Sequence, residues 1–490
     1  MGIDISAVAR VLGITTNFVD LRGARVKYLP QRLAVIGQGS TAATYSTDKV
    51  QVLSAKQAGD TFGYGSPIHL AVKELLPTVG TIPVTVYPLN DDGSGVAATG
   101  DITPTGTQTT SASYTVKINN IESRPFVISA GDSIATVTAA MTTAINAVLS
   151  MPVTAVDNTT VVDLTAKWKG TSSNDIYIEV VGSTTAGVSF GITQPTGGLV
   201  NPDVQTAVDK IGDVWESMVV NCLEISDETA LDVYQTFGET RWGALTHKPL
   251  IVGTGNTIAD STAASAVAES RKDDRINFSV VAPASRDLPV TVAAAQIAQI
   301  VRVANNTPAN DYGSLVCPTL TAGSDDSQWD YSERDFAVKR GSSTTEVRDG
   351  QIVLQDIVTF YHPTGEEPPA YRKVCDIVKL QSIIFNLNLR FNTPEWDGAP
   401  LIPDIQPTTN PKAKKPRMAK IVINNLIDEL ALEAFISDPE TAKAATLAQI
   451  NSQNPNRLDA KLTVQLSGNV SIIDIENNFG FYFGSNEIVG

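Results

Sequence analysis

The sequence predicts an α/β protein of several domains. It has a doubly wound, mostly parallel core sheet, an inserted β-rich domain, and extended arms at both ends. Three observations carry this reading. Strand-like and helix-like segments alternate over 31–90 and again from Asn201, as in a parallel sheet covered by helices on both faces. Between Asn90 and Gly198 the composition shifts to Thr, Ser, Gly and Val, and short strands replace the alternation. The two ends carry alternating apolar residues outside either pattern.

Each element follows from its local pattern. RLAVIGQGS (32–40) reads as a buried strand that ends in a Gly-rich turn. GSPIHLAVKELLP (65–77) reads as a helix and PVTVYPL (83–89) as a second strand. In the insertion, SYTVKIN, RPFVIS, TVVDLTA and DIYIEVV read as strands around a helix at about 133–149. Asn201-Pro202 predicts a helix start. Val204, Val208, Ile211, Trp215 and Met218 continue it as a stripe. Strands VVNCLEI, KPLIVGT (248–254) and INFSVVAP (276–283) then alternate with helices near 227–237, 258–272 and 289–304.

Asp349-Gly350 predicts a two-residue hairpin turn. The returning run Ile352–Tyr361 is apolar on both faces, so it reads as an interior strand. A helix after Pro368-Pro369 carries Ile377, Leu380, Ile384, Leu387 and Phe391 on one face. Residues 397–417 are Pro-rich with the basic cluster PKAKKPR. A helical segment covers about 418–450, and AKLTVQLSG and VSIIDIENNFGFYFG close the chain as extended runs.

At 490 residues, with 42% hydrophobic and 18% charged residues, the chain can bury sizeable cores. Its 52 acidic and 36 basic residues give a charge of −16, which argues against general nucleic-acid binding. Cys222, Cys317 and Cys375 are far apart and odd in number, so neither a zinc site nor a disulfide framework is indicated. No apolar run reaches the roughly 18 residues of a membrane span. The start MGIDISAVARVLGITTNF lacks the plan of a signal peptide, so cytoplasmic synthesis is expected.

The candidate chemistry is thin. Gly37–Ala42 fits GxGxxG/A after a strand, but TYSTDKVQVLS does not begin the amphipathic helix whose N-terminus would receive phosphate. VGTGNT (252–257) lacks the Lys-Ser/Thr ending of a P-loop. His69, His247 and His362 have no second ligand at metal spacing. No cofactor, metal or catalytic residue is expected, so an enzyme is not. Lys412, Lys414, Lys415 and Arg417 form the dense positive cluster of an acidic chain. They read either as a solvated linker or as a contact for an acidic partner.

Four blocks, in order, resemble the contractile tail sheath proteins of bacteriophages in their Mu-like branch. They are LAVIGQGSTAATYSTDKVQVLSAKQAGDTFGYGSPIHLAVKELLP (33–77), GVAATGDITPTG with the insertion ending near KGTSSNDIYIEV, RDFAVKRGSSTTEVRDGQIVLQDIVTFYHPTGEEPPAYRKVCDIVKL, and NPNRLDAKLTVQLSGNVSIIDIENNFGFYF. The N-terminus is longer than the family's pattern. The resemblance implies a structural subunit that winds helically around a tail tube and contracts to drive the tube through the host envelope. The implied partners are other copies of the chain, the tail tube protein, and baseplate and terminator proteins, with no nucleic acid and no membrane insertion. The implied place is the tail of the virion, assembled in the bacterial cytoplasm.

The expected division is 1–30 as an N-terminal arm, 31–90 with 199–396 as the core, and 91–198 as an outward-facing insertion. Residues 397–462 form a tube-proximal region and 463–490 an arm strand. Ile14, Thr16, Phe18 and Val19 are the expected N-terminal arm contacts. Ile472, Ile473, Ile475, Phe479, Phe481 and Tyr482 are those of the C-terminal arm. Ile352, Leu354, Ile357 and Val358 are the expected arm-accepting strand, and Lys412, Lys414, Lys415 and Arg417 the expected tube contact. Three rival readings remain: a sheath of an R-type bacteriocin or type VI secretion system, a nucleotide-dependent α/β enzyme, and a surface-layer protein, which would need a secretion signal.

Overall fold

The computed structural model describes residues 26–365, 370–471, 473 and 475. The chain first lays down β1 (Leu33–Gln38), β2 (Val50–Val52), α1 (Ala55–Phe62), α2 (Pro67–Val79) and β3 (Val84–Leu89). The inserted region follows, with β4 (Thr99–Gly106), β5 (Ala112–Ile118), β6 (Ile121–Glu122), β7 (Phe126–Ile128), α3 (Ile134–Asn146), β8 (Val153–Asp157), β9 (Val162–Ala166), β10 (Ile178–Gly182) and β11 (Val188–Thr196). The alternation resumes with α4 (Gln205–Ile211), β12 (Met218–Asn221), α5 (Glu228–Arg241), β13 (Ile251–Asn256), α6 (Ser261–Ser270), β14 (Asn277–Val281) and α7 (Pro289–Asn306).

Six of these strands form one sheet in the order β14-β13-β12-β1-β3-β2. All its pairs are parallel except β2 with β3. Strands buried on both faces read as nearly continuous apolar runs, and β1 is buried throughout, with its terminal Gln38 hydrogen-bonded to Asp91 and Lys169. Leu33 and Val35 join Val84, Val86, Met218 and Val220 in the layer under α2 and α7. Ala34 and Ile36 join Tyr87, Val219 and Val252 in the layer under α4 and α5. The chain is therefore a mixed α/β protein with several sheets, as expected at that level.

Glycine sets how closely α7 lies on the sheet. A Cβ on Gly253 would stand 2.5 Å from Ile297, and one on Gly255 would stand 1.8 Å from the Pro289 carbonyl. The two glycines of VGTGNT therefore admit a helix against the backbone, which is the role of glycine at close approaches.

The inserted strands form two four-stranded sheets, one of β11-β4-β9-β8 and one of β10-β5-β6 with β7 on β5. They are pinned to the core. The Thr41 amide donates to Lys167 O at 2.7 Å and Gln38 Nε2 donates to Lys169 O at 2.7 Å. On the other side, Asn119 Nδ2 donates to Arg286 O at 2.9 Å, and Asn120 donates to Asp287.

After α7 come β15 (Val316–Cys317), α8 (Tyr331–Lys339) and the hairpin β16 (Thr345–Arg348) and β17 (Gln351–Leu354). Then come α9 (Val374–Phe391), α10 (Pro416–Leu432), β18 (Ile436–Ser437), α11 (Pro439–Ala445), β19 (Leu447–Ile450), β20 (Leu458–Lys461) and β21 (Gln465–Leu466). The hairpin turn is as expected: Asp349 and Gly350 have φ 52° and 75°, and Arg348 pairs with Gln351. Two positive φ values match the twist of the flanking strands.

Two local expectations are corrected. Asn201-Pro202 does not cap a helix. Asn201 Nδ2 instead donates to Glu224 and Asp227 at 2.8 Å each, and α4 begins at Gln205. The stripe that follows also breaks at Gly212, whose φ is 56°, and Met218 already belongs to β12. An apolar strand after an apolar helix face prolongs the helical spacing by coincidence.

Candidate functional site

The Gly-rich turn after β1 cannot cradle a phosphate as it stands, because its amides are already used. Gly39 N donates to Tyr45 Oη at 3.0 Å, Ser40 N to Phe62 O at 2.7 Å, and Thr41 N to Lys167 O at 2.7 Å. A Cβ at Gly37 would lie 2.5 Å from Cys222 Cβ, so this glycine makes room between neighbouring strands. Above the turn, Gln38 Nε2 donates to Asp91 at 2.6 Å.

The histidines are dispersed. His69 is buried in α2, and its Nδ1 accepts from Gly65 N at 3.1 Å. Burial, with Lys73 and Lys167 nearby, pushes its pKa down to about 4. His362 Nδ1 lies 2.6 Å from Phe360 O, and its Nε2 lies 3.5 Å from Glu269. All three cysteines are buried and free, and burial raises each thiol pKa. Among the described residues no group of three or more His, Cys, Asp or Glu could hold a metal ion, and no helix is long and apolar enough to cross a membrane. The expectation that the chain holds no G-x-S-x-G nucleophile elbow is wrong as to spacing, since Gly187-Val188-Ser189-Phe190-Gly191 has it. Ser189 lies inside β11 and its hydroxyl pairs with that of Thr105 at 2.9 Å. The motif needs a strand-to-helix turn instead.

The expected arm-accepting strand lies inside a small sheet. Ile352 pairs with Val347 of β16 and with Cys317 of β15, so β17 is the centre of a three-stranded sheet. Leu354 N donates to Leu315 O, and Leu354 O accepts from Ser314 N. Ile357 O accepts from Val374 N at 3.2 Å, and Ser343 Oγ both accepts from Val358 N and donates to Val358 O at 3.1 Å. The regular strand stops at Leu354, and the apolar run beyond it is buried loop. Ile352, Leu354, Ile357 and Val358 thus each have backbone partners within the chain. Open edges lie at β16 and on the two-stranded ribbons β18–β21 and β19–β20.

The basic cluster is divided between buried and exposed cations. Lys414 and Lys415 are each only 7% exposed. Lys414 pairs with Glu395 and lies 5.2 Å from the centroid of the Trp396 ring. Lys415 Nζ donates to the carbonyls of Asp404 at 3.3 Å and Gln406 at 2.6 Å. Two of the four cations thus fold the Pro-rich segment onto itself, and Lys412 and Arg417 remain exposed.

The first described residues and the segment around Leu466 converge on one place. Val26, Ile383, Ile423, Leu426, Ile427, Leu430 and Phe435 share an apolar cluster between α9 and α10. Tyr28 Oη donates to Glu433 at 2.8 Å and its ring meets that of Phe435. Coming from the other end, Leu466 pairs with Ile436, and Ser467 N donates to Phe435 O at 3.0 Å. Beyond this point Val470, Ile473 and Ile475 are 80%, 75% and 77% exposed. Large apolar side chains exposed close together call for a partner. Of the expected arm contacts, Ile14, Thr16, Phe18, Val19, Ile472, Phe479, Phe481 and Tyr482 lie outside the described residues.

Comparison with known proteins finds similarity to tail sheath proteins. No family model matches the chain. It is 25% identical over 482 residues to the Mu-like prophage FluMu tail sheath protein of Haemophilus influenzae, covering 94% of this chain and 96% of that protein. Similar solved structures include the sheath tail proteins of Listeria innocua (TM-score 0.48, 14% identity, 91% of this chain and 94% of that one) and Desulfitobacterium hafniense (TM-score 0.47, 12% identity, 94% and 97%). A chain of the anti-feeding prophage baseplate aligns with TM-score 0.47 at 9% identity, over 96% of this chain and 99% of that one. The resemblance to tail sheath proteins thus runs along nearly the full chain.

Proposed function

We propose that this chain is the structural subunit of a contractile phage tail sheath. Many copies wind helically around a tail tube. Contraction, triggered at a baseplate, drives the tube through the host envelope. The observation that carries the reading is the similarity to a tail sheath protein over 94% of this chain and 96% of that protein.

The exposed Val470, Ile473 and Ile475 support a C-terminal arm that adds a strand to a neighbour. A contact of this kind is heterologous, and when the rotation does not close it generates a helix of subunits. A strand shared between neighbours survives rotation of the cores, so subunits stay linked while their packing changes. In this reading 1–30 and 463–490 are arms, 31–90 with 199–396 are the core, 91–198 face outward, and 397–462 face the tube. Lys412 and Arg417 are the cations of the basic cluster exposed to such a partner. Baseplate and terminator proteins would cap the two ends of the polymer, and the site of action is the virion tail.

Deletion of 470–490 tests the arm. The shortened chain is expected to fold with an unchanged far-ultraviolet spectrum and to sediment as a monomer that never forms cylinders. Cylinders from the shortened chain would refute the arm.

A further inference from the structure

Lys27 near the start of the described chain and Ser467 near its close are held by the same face of one helix. On α9, Lys379, Ile383 and Asn386 follow at spacings of four and three residues, so they form a single stripe. Ile383, in the middle, packs against Val26 and α10. Asn386 acts as a strand would. Its Oδ1 accepts from Lys27 N at 3.1 Å and its Nδ2 donates to Lys27 O at 2.8 Å. It satisfies both backbone groups of a residue 359 positions away.

Lys379 does the equivalent for the other end. Its side chain is fully buried. Its three ammonium donors are all used, on Asp376 Oδ1 at 2.9 Å, Ser467 O at 2.7 Å and Asn469 Oδ1 at 2.6 Å. A buried ammonium is costly unless every donor is paired, so the site is built around these partners. Asn469 Nδ2 continues to Ala309 O at 3.0 Å, and Lys373 at the start of α9 donates to Ser471 at 2.5 Å. Away from this stripe, Gln381 Nε2 donates to the carbonyls of Ser217 at 3.1 Å and Pro249 at 3.0 Å, which lead into β12 and β13.

We propose that α9 is the common anchor through which both terminal connections are tied to the core sheet, with Lys379 locking the C-terminal root and Asn386 the N-terminal root. The proposal rests on the sheath reading for what the connections join. A pull on either arm reaches the same helix, and Gln381 passes it to the leading ends of two parallel strands. The two locks lie about 10 Å apart along the helix at 1.5 Å per residue, so both roots shift together when α9 shifts.

The test uses the full-length chain. Lys379→Met removes the three hydrogen bonds and keeps an unbranched apolar stem. Hydrogen exchange at the Ser467 amide is expected to quicken about tenfold or more, the scale of one charge-assisted bond, while Val220 in β12 keeps its protection. Asn386→Leu is expected to do the same at Lys27. Asn469→Ala releases the C-terminal lock from the loop side and serves if Lys379→Met does not fold. Lys56→Met, at an exposed lysine of α1, is the control and should change exchange at neither Ser467 nor Lys27. Cylinders of Lys379→Met are expected to dissociate at lower urea than those of the parent chain.

Unchanged exchange at Ser467 in both C-terminal variants would overturn the lock. Equal urea resistance of the cylinders would overturn its part in assembly. Absence of cylinders from the parent chain would overturn the sheath reading instead, and exchange in the monomer would still decide the anchor.

Discussion

His69 ties the stability of the seam between core and insertion to pH. The residue is 3% exposed in α2, its ring lies 5.0 Å from that of Tyr64, and Lys167 of the insertion donates to Tyr64 O at 3.0 Å. Neutral imidazole fits this site. A proton would place a third cation beside Lys73 and Lys167. The unfolded imidazole titrates near 6.5 and the folded one only at about 4. Between those values the unfolded chain binds the extra proton, so stability falls as pH falls and nothing further is lost below pH 4.

From pH 8 to pH 5 the loss from this one group is about 2 kcal/mol, and over the whole window about 3 kcal/mol. Buried carboxylates such as Asp287 and Glu74, raised chiefly by burial, act in the opposite direction. They cancel when the parent chain is compared with His69→Asn, which keeps an acceptor for the Gly65 amide. Urea unfolding of both proteins at pH 5, 6, 7 and 8 checks this. The difference in unfolding free energy should move by about 2 kcal/mol in favour of the variant as pH falls from 8 to 5. A difference that stays flat would refute the assignment of a buried neutral His69, whatever constant offset the lost ring contact adds.

Further predictions follow from close packing and from the basic cluster. Gly255→Ala should destabilise the chain by about 2 kcal/mol or more, because its Cβ would meet the Pro289 carbonyl at 1.8 Å; thermal unfolding measures this. Lys414→Glu should lower the melting temperature, since it faces Glu395 with a like charge beside Trp396. Lys412→Glu should leave melting unchanged and weaken decoration of a tail tube, more so at low salt; a pull-down on isolated tubes at two ionic strengths reads this out.

The core was legible because its signals are local. LAVIGQ and INFSVV announce strands buried on both faces, and Asp349-Gly350 announces its own turn. Helix α1 was missed because AKQAGDTF is short and carries few apolar residues, although Ser54 caps it by accepting from Gln57 N. The Ile352–Tyr361 run was read as strand throughout, since an apolar loop buried under helices has the composition of an interior strand. PKAKKPR suggested a free charged patch because sequence does not reveal that Glu395 and two carbonyls claim Lys414 and Lys415. The anchor on α9 was illegible for the same reason in stronger form. Lys379 and Asn386 read as ordinary polar positions on a helix, and their partners lie 88 and 359 residues away. The proposal that the ends are arms comes from their alternating apolar pattern together with the resemblance, and most of those residues lie outside the described ones.

The most direct test of the account is negative-stain electron microscopy of the purified full-length chain, alone and mixed with its tail tube. The account predicts hollow striated cylinders, or regular decoration of the tube, with subunits joined along a helix. Discrete particles under both conditions, across a range of protein concentration and salt, would contradict it.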